Sequence, residues 1–115
     1  MAILTQLVDG VVAQKFEINE RLSIGRLGQN DIVIDDSSVS SQHAVIERKV
    51  NPDFPEVVEY QLSDLGSTNG TQVNGEKITS AVLLHHQDEI TVAWNQFKFL
   101  DEDAVNLSKT VHILE

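Results

Sequence analysis

The chain has no cysteine, which excludes disulfides, thiolate metal ligation and thiol nucleophiles. Basic residues are scarce: 8 Lys+Arg stand against 18 Asp+Glu, a formal charge of −10 over 115 residues. They are scattered singly except for the pair Arg48-Lys49 and build no cationic patch. Duplex nucleic acid and anionic lipid are held mainly by clustered cations, so neither is an expected partner. Long apolar runs are missing as well. No stretch approaches the ~20 residues of a membrane helix, and the opening MAILTQLVDG lacks a basic start and meets Asp9 too early for a signal peptide. A cytoplasmic location is expected. The length suits one domain whose core needs no metal or disulfide staple, and no cofactor or metal ligand set is evident.

What the sequence does contain is β patterning. Apolar residues recur with period two or in short runs, and Gly, Asn, Asp and Ser punctuate them about every ten residues. Strands are predicted over Ala2–Val8, Gln14–Ile18, Arg21–Gly25, Ile32–Ile34, His43–Lys49, Val57–Ser63, Thr71–Val73, Ala81–Leu84, Glu89–Val92 and Gln96–Leu100. Short strands at this spacing imply an all-β sandwich. Asp9-Gly10, Asn69-Gly70 and Asn74-Gly75 carry the composition of tight hairpin turns, whose geometry demands positive φ. The two prolines mark an exposed connection at 50–56. The domain is read as 1–100, followed by an acidic-start tail over 101–115.

Three polar loops are framed by apolar strands. The first, 25–31, delivers Arg26 from the end of a strand, where a guanidinium can fork onto a phosphate or carboxylate or pair with Asp31 or Asp35. The second, 35–43, sets four serines before His43. Such hydroxyls cap turns or coordinate an anion. A Ser40–His43–Asp64 hydrolase is disfavoured, because no Gly-x-Ser-x-Gly elbow or helix start supplies an oxyanion hole. The third, 64–75, displays Ser67, Thr68 and Asn69. Its glycines are too close together for a Walker A loop, and no Lys follows them. Strand alternation carries all three loops to one end of the sandwich, so that Arg26, Ser40 and Asn69 meet on one apex with no general base beside them.

Gly25-Arg26, Asn30-Asp31-Ile32, Ser40-x-x-His43 and Asp64-Leu-Gly-Ser-Thr-Asn-Gly-Thr-x-Val-Asn-Gly75 together resemble the forkhead-associated (FHA) domain, in order and spacing, over about Leu22 to Leu100. The resemblance implies a β-sandwich of about eleven mostly antiparallel strands. Its apical loops would bind phosphothreonine peptides without catalysis, downstream of a Ser/Thr kinase. By position, Arg26 would clamp the phosphate, Ser40 would donate its hydroxyl, Thr68 would reach the phosphate region and Asn69 would hold the peptide backbone. Gly25, His43, Gly70, Asn74 and Gly75 would be structural, with His43 bracing the second and third loops.

One departure stands out. Many members of the family carry a basic residue after the motif serine, where this chain has Ser41. A charged hydrogen bond contributes about 1.5–3 kcal/mol and a neutral one about 0.5–1.5, so affinity is expected to be about tenfold lower, in the micromolar class. A phosphate-independent interaction module on the same sandwich is the alternative that Ser41 and the acidic surface motivate. In the tail, Thr110 precedes Ile113 by three residues, a spacing the family often reads. A phosphorylated tail docking on its own or a neighbouring apex is thus a second partner expectation. A small module beginning at Met1 is expected of a bacterial protein.

Overall fold

The computed structural model describes residues 2–101. Residues 102–115 of the tail, with Thr110, lie outside the described residues. Eleven strands form: β1 (Ala2–Val8), β2 (Val11–Ile18), β3 (Arg21–Gly25), β4 (Ile32–Val33), β5 (Ala44–Val50), β6 (Val58–Asp64), β7 (Thr71–Val73), β8 (Glu76–Lys77), β9 (Val82–Leu83), β10 (Glu89–Val92) and β11 (Asn95–Asp101). They make two sheets, ordered β2-β1-β11-β10-β7-β8 and β4-β3-β5-β6-β9. The pairings are antiparallel except β3 with β4, which is parallel. The all-β sandwich expected from the sequence is the fold observed.

Alternation fixes which residues enter the core. Phe97 and Phe99 turn inward while Gln96 and Lys98 turn away, and Leu4, Ile90 and Val92 join them from the same sheet. Leu22, Ile24, Ala44, Ile46 and Leu62 fill the core from the facing sheet. The Tyr60 and Phe99 rings meet across the sheets at 5.5 Å between centroids. Removing a buried Phe from such a core costs about 3–5 kcal/mol, so these few positions dominate cohesion.

Three expectations need correction. Strand β2 begins at Val11 and not at Gln14, because Asp9 (φ 54) and Gly10 (φ 79) form a two-residue turn that pairs Val8 with Val11 at once. A bulge at Gln6/Leu7 absorbs the register shift that had masked this pattern. Strand β8 was not expected, since Glu76 and Lys77 are exposed and carry no apolar alternation. It exists as the return arm of the Asn74-Gly75 turn. Asn69-Gly70 is not a hairpin: of the two only Gly70 has positive φ, and the strands it joins, β6 and β7, lie in different sheets. Smaller differences are single-residue shifts, among them Asp101, which closes β11 opposite Ala2 instead of opening a tail.

Strand direction places the loops. Strands β1, β3, β4, β6, β8 and β10 all run toward one end, which we call the apex. There the turn at Asp9-Gly10, the loops 26–31, 34–43 and 65–70, and the turn at Ala93-Trp94 emerge. The connections 19–20, 51–57, 74–75 and 84–88 lie at the other end.

Candidate functional site

Gly25 ends β3 where the first two loops touch. A Cβ there would sit 2.3 Å from the Ser41 carbonyl oxygen and 2.6 Å from Asn30 Nδ2, so only glycine fits. Arg26 N–H donates to the Ser40 carbonyl (3.0 Å), and Leu27 N–H to that of Ser41 (3.3 Å). The buried Asn30 closes the joint, its Nδ2 donating to Leu27 O (2.9 Å) and Ser41 O (2.8 Å). The sequence pattern marks Asn30 only as part of Asn30-Asp31-Ile32 and not as a clasp between loops. The signal was available: an amide side chain between glycine-rich turns is a ready substitute for missing backbone hydrogen bonds.

Arg26 forms no ion pair among the described residues. Its Nε donates to the Val39 carbonyl at 3.2 Å, which anchors the side chain over the second loop while the terminal NH2 groups remain for a ligand. The alternative of pairing with Asp31 fails for a specific reason. Asp31 Oδ2 instead accepts from the backbone N–H (2.8 Å) and hydroxyl (3.2 Å) of Ser23.

The second loop is held from beneath. Val39 is 1% exposed and inserted in the core. Asp36 Oδ1 accepts from Ser38 N–H and Oγ–H at 2.9 and 2.8 Å, and these bonds hold its carboxyl below the usual carboxylate range. His43 is fully buried. Its Nδ1 accepts the Ser40 N–H at 3.1 Å, and its Nε2 lies 2.9 Å from Gly70 O, which can only accept. The ring is therefore neutral, with its proton on Nε2, and spans the second and third loops. This arrangement dismantles the hydrolase reading: the ring nitrogen nearest Ser40 serves its backbone N–H, and Asp64 is occupied elsewhere.

Asp64 organises the third loop. Its carboxylate accepts from Gly66 N–H (3.0 Å), Ser67 N–H (2.9 Å), Ser67 Oγ–H and the buried Thr71 Oγ1–H (2.7 Å). Burial alone would raise its pKa, but the bonds from Ser67, Thr71 and Gly66 outweigh that and hold the carboxyl below its ordinary range. The loop is pinned to its neighbour twice more. Thr68 N–H donates to Ser40 Oγ (3.1 Å), and Asn69 Nδ2 to the Ser38 carbonyl (2.6 Å). Accepting from Thr68 leaves the Ser40 hydroxyl proton free to donate outward.

Arg26, Ser37, Ser38, Val39, Ser40, Ser41, Thr68 and Asn69 line one open depression of about 320 Å3 at the apex. The structure thus brings Arg26, Ser40, Ser41, Thr68 and Asn69 together, with Gly25, His43 and Gly70 directly behind them. It does not bring Asn74 or Gly75 there. The three residues of β7 carry the chain away to the opposite end, where Asn74 bonds to Asp88 Oδ1 (3.0 Å) and to Glu89 N–H (2.9 Å). These two support the sandwich and not the depression.

The FHA domain family model matches residues 22–93, well over half of the chain. This chain belongs to the FHA domain family. Over 76 residues the FHA domain here is 42% identical to the transcriptional regulatory protein EmbR of Mycobacterium tuberculosis, a match covering 66% of this chain and 18% of EmbR. It is 40% identical over 78 residues to the glycogen accumulation regulator GarA of Mycolicibacterium smegmatis, covering 68% of this chain and 44% of GarA. The chain thus matches less than half the length of these curated relatives, which are bacterial. Among solved structures, Mycobacterium tuberculosis EmbR in complex with a low affinity phosphopeptide superposes with a TM-score of 0.71 at 35% identity, over 86% of this chain and 24% of that one. The MEK1 FHA domain in complex with the HOP1 pThr318 peptide gives 0.71 at 26%, over 86% of this chain and 94% of that one. Among the described residues no helix is long and apolar enough to cross a membrane.

Proposed function

We propose that this FHA domain binds phosphothreonine-containing segments of partner proteins at the apical depression. It would serve as a non-catalytic adaptor in Ser/Thr kinase signalling in the cytoplasm. One observation carries the reading: on a chain of formal charge −10, the depression is lined by one cation and several hydroxyl and amide groups, with no carboxylate among them. Three other surface depressions of comparable size each include an acidic residue. A phosphate carries about −1.5 to −2 charge and three strong acceptors, which matches a cavity of donors. The phosphopeptide complexes of related FHA domains support the same reading.

In this reading the free NH2 groups of Arg26 clamp the phosphate, and the outward hydroxyl protons of Ser40, Ser41 and Thr68 donate to it. The Asn69 amide, fixed by the Ser38 carbonyl, presents its remaining polar atoms to the peptide backbone. Burying one threonine methyl gives about 0.8 kcal/mol, about a fourfold preference over phosphoserine, and β-branching adds to it by stiffening the side chain.

Calorimetry with matched phosphothreonine, phosphoserine and unmodified peptides tests the proposal. Micromolar binding of the first, weaker binding of the second and none of the third is the expected order. Equal binding of all three, or indifference to Arg26→Ala, would instead establish a phosphate-independent interaction module.

A further inference from the structure

The apex has a second depression, of about 360 Å3, lined by Gln6, Leu7, Val8, Asp9, Trp94, Asn95 and Gln96. Trp94, the sole tryptophan, is 71% exposed, which is unusual for so large an apolar side chain. Its presentation is built into the backbone. The preceding Ala93 is buried and holds a positive φ of 54°, a strained conformation for alanine, and donates its N–H to Gly70 O at 3.2 Å. That carbonyl is the one His43 Nε2 also contacts, so the turn carrying Trp94 is tied directly to the third loop, next to Asn69.

Opposite Trp94 stands the turn Asp9-Gly10. Asp9 is exposed and forms no hydrogen bond or ion pair among the described residues, and its positive φ of 54° fixes it in the turn. The lining contains one carboxylate, no cation, and more amide than aliphatic side chains. An aliphatic ligand group would bury Gln6, Asp9, Asn95 and Gln96 without satisfying them, at a cost that favours a polar occupant. A lysine or arginine suits all three features. Its methylene stem covers Val8 and Leu7, its cationic head meets the indole face, and Asp9 supplies the counter-charge.

We infer that Trp94 and Asp9 form a subsite for a basic side chain of the partner, flanking the phosphothreonine held at the neighbouring depression. The inference rests on the phosphothreonine reading. It gives this domain a bipolar ligand, with an anionic phosphate on the donor-lined cavity and a cation on the Trp94–Asp9 cavity.

The test uses the full chain and synthetic phosphothreonine peptides of otherwise alanine and serine composition. A single lysine is walked one position at a time on either side of the phosphothreonine, and norleucine and glutamate replace it in matched sets. Because Trp94 is the sole tryptophan, its emission reports on this subsite directly while calorimetry gives the affinity. At one position the lysine peptide is expected to bind about three- to tenfold tighter than its norleucine match and to change Trp94 emission. That advantage is expected to disappear in Trp94→Ala and to shrink in Asp9→Asn. Both replacements suit their sites, since Trp94 is exposed and Asn tolerates positive φ. Norleucine equalling lysine at every position, or peptide binding that leaves Trp94 emission unchanged, overturns the subsite while Arg26-dependent binding persists. Binding that ignores Arg26 or the phosphate overturns the parent reading and this inference with it.

Discussion

Two depressions at opposite ends of the sandwich differ little in size and sharply in chemistry. The apical one, of about 320 Å3, holds Arg26 among serines, Thr68 and Asn69. The other, of about 330 Å3, holds Arg48 with Tyr60 and Val58 beside Glu17 and Glu20. Each has one arginine, but only Arg26 lies in a lining free of carboxylates, with its guanidinium steered by a carbonyl. The lesson is that volume does not identify a binding site here. What separates the two is whether carboxylates share the lining with the cation, and the apical loops keep theirs out of it by engaging Asp31, Asp36 and Asp64 in hydrogen bonds with Ser23, Ser38, Ser67 and Thr71.

The sharpest way to break this comparison is to remove each arginine in turn. Arg26→Ala is expected to lower phosphothreonine-peptide affinity by about tenfold to more than a hundredfold, from the loss of charge-assisted bonds at about 1.5–3 kcal/mol each. Arg48→Ala is expected to leave calorimetric affinity unchanged, and equal losses in the two variants would erase the distinction between the ends.

Asp64→Ala comes next. It strands the buried Thr71 hydroxyl and unties Ser67 and Gly66, with an expected loss of about 1–3 kcal/mol in denaturant unfolding. The pH dependence has a definite sign. The Asp64 carboxyl sits below its usual range in the fold, so the folded chain binds that proton less readily than the unfolded chain. Its contribution is full above the unfolded value of about 3.9 and disappears as pH falls through the lower folded value. Thermal melts of the wild type and Asp64→Ala are therefore expected to converge as pH falls below about 4.

Ser41→Arg sharpens the comparison from the other side by adding a second cation to the apex. A gain of about tenfold in phosphopeptide affinity is expected, and no gain would show that backbone donors already saturate the phosphate. The smallest effect concerns the acidic surface. Screening acts over about 8 Å at physiological salt. Phosphopeptides with additional acidic residues are thus expected to bind better by about twofold to threefold as salt is raised from low levels, while basic ones weaken. Titrations at two ionic strengths read this directly.

Much of the apex was legible in the residue order. Arg26, Ser40, Thr68 and Asn69 each sit in a loop bounded by alternating apolar strands, and counting strand reversals is enough to send those loops to the same end. Asn74-Gly75 was legible as a turn but not as a distant one, because locating it requires knowing that β7 is only three residues long and runs away from the apex. Strand β8 was hidden for a related reason: its pairing comes from the turn before it and not from any pattern of its own.

By itself the sequence determined the all-β class, the polar loops and the absence of thiol chemistry from this chain. These follow from local periodicity and composition, which act over a few residues. Only the tertiary structure decided that Gly25 is required for the close approach of Ser41, that Asn30 locks the first two loops together, and that Trp94 stands beside Asp9. Those relations join residues far apart in the chain through hydrogen bonds and contacts a few ångströms long, which no local pattern encodes.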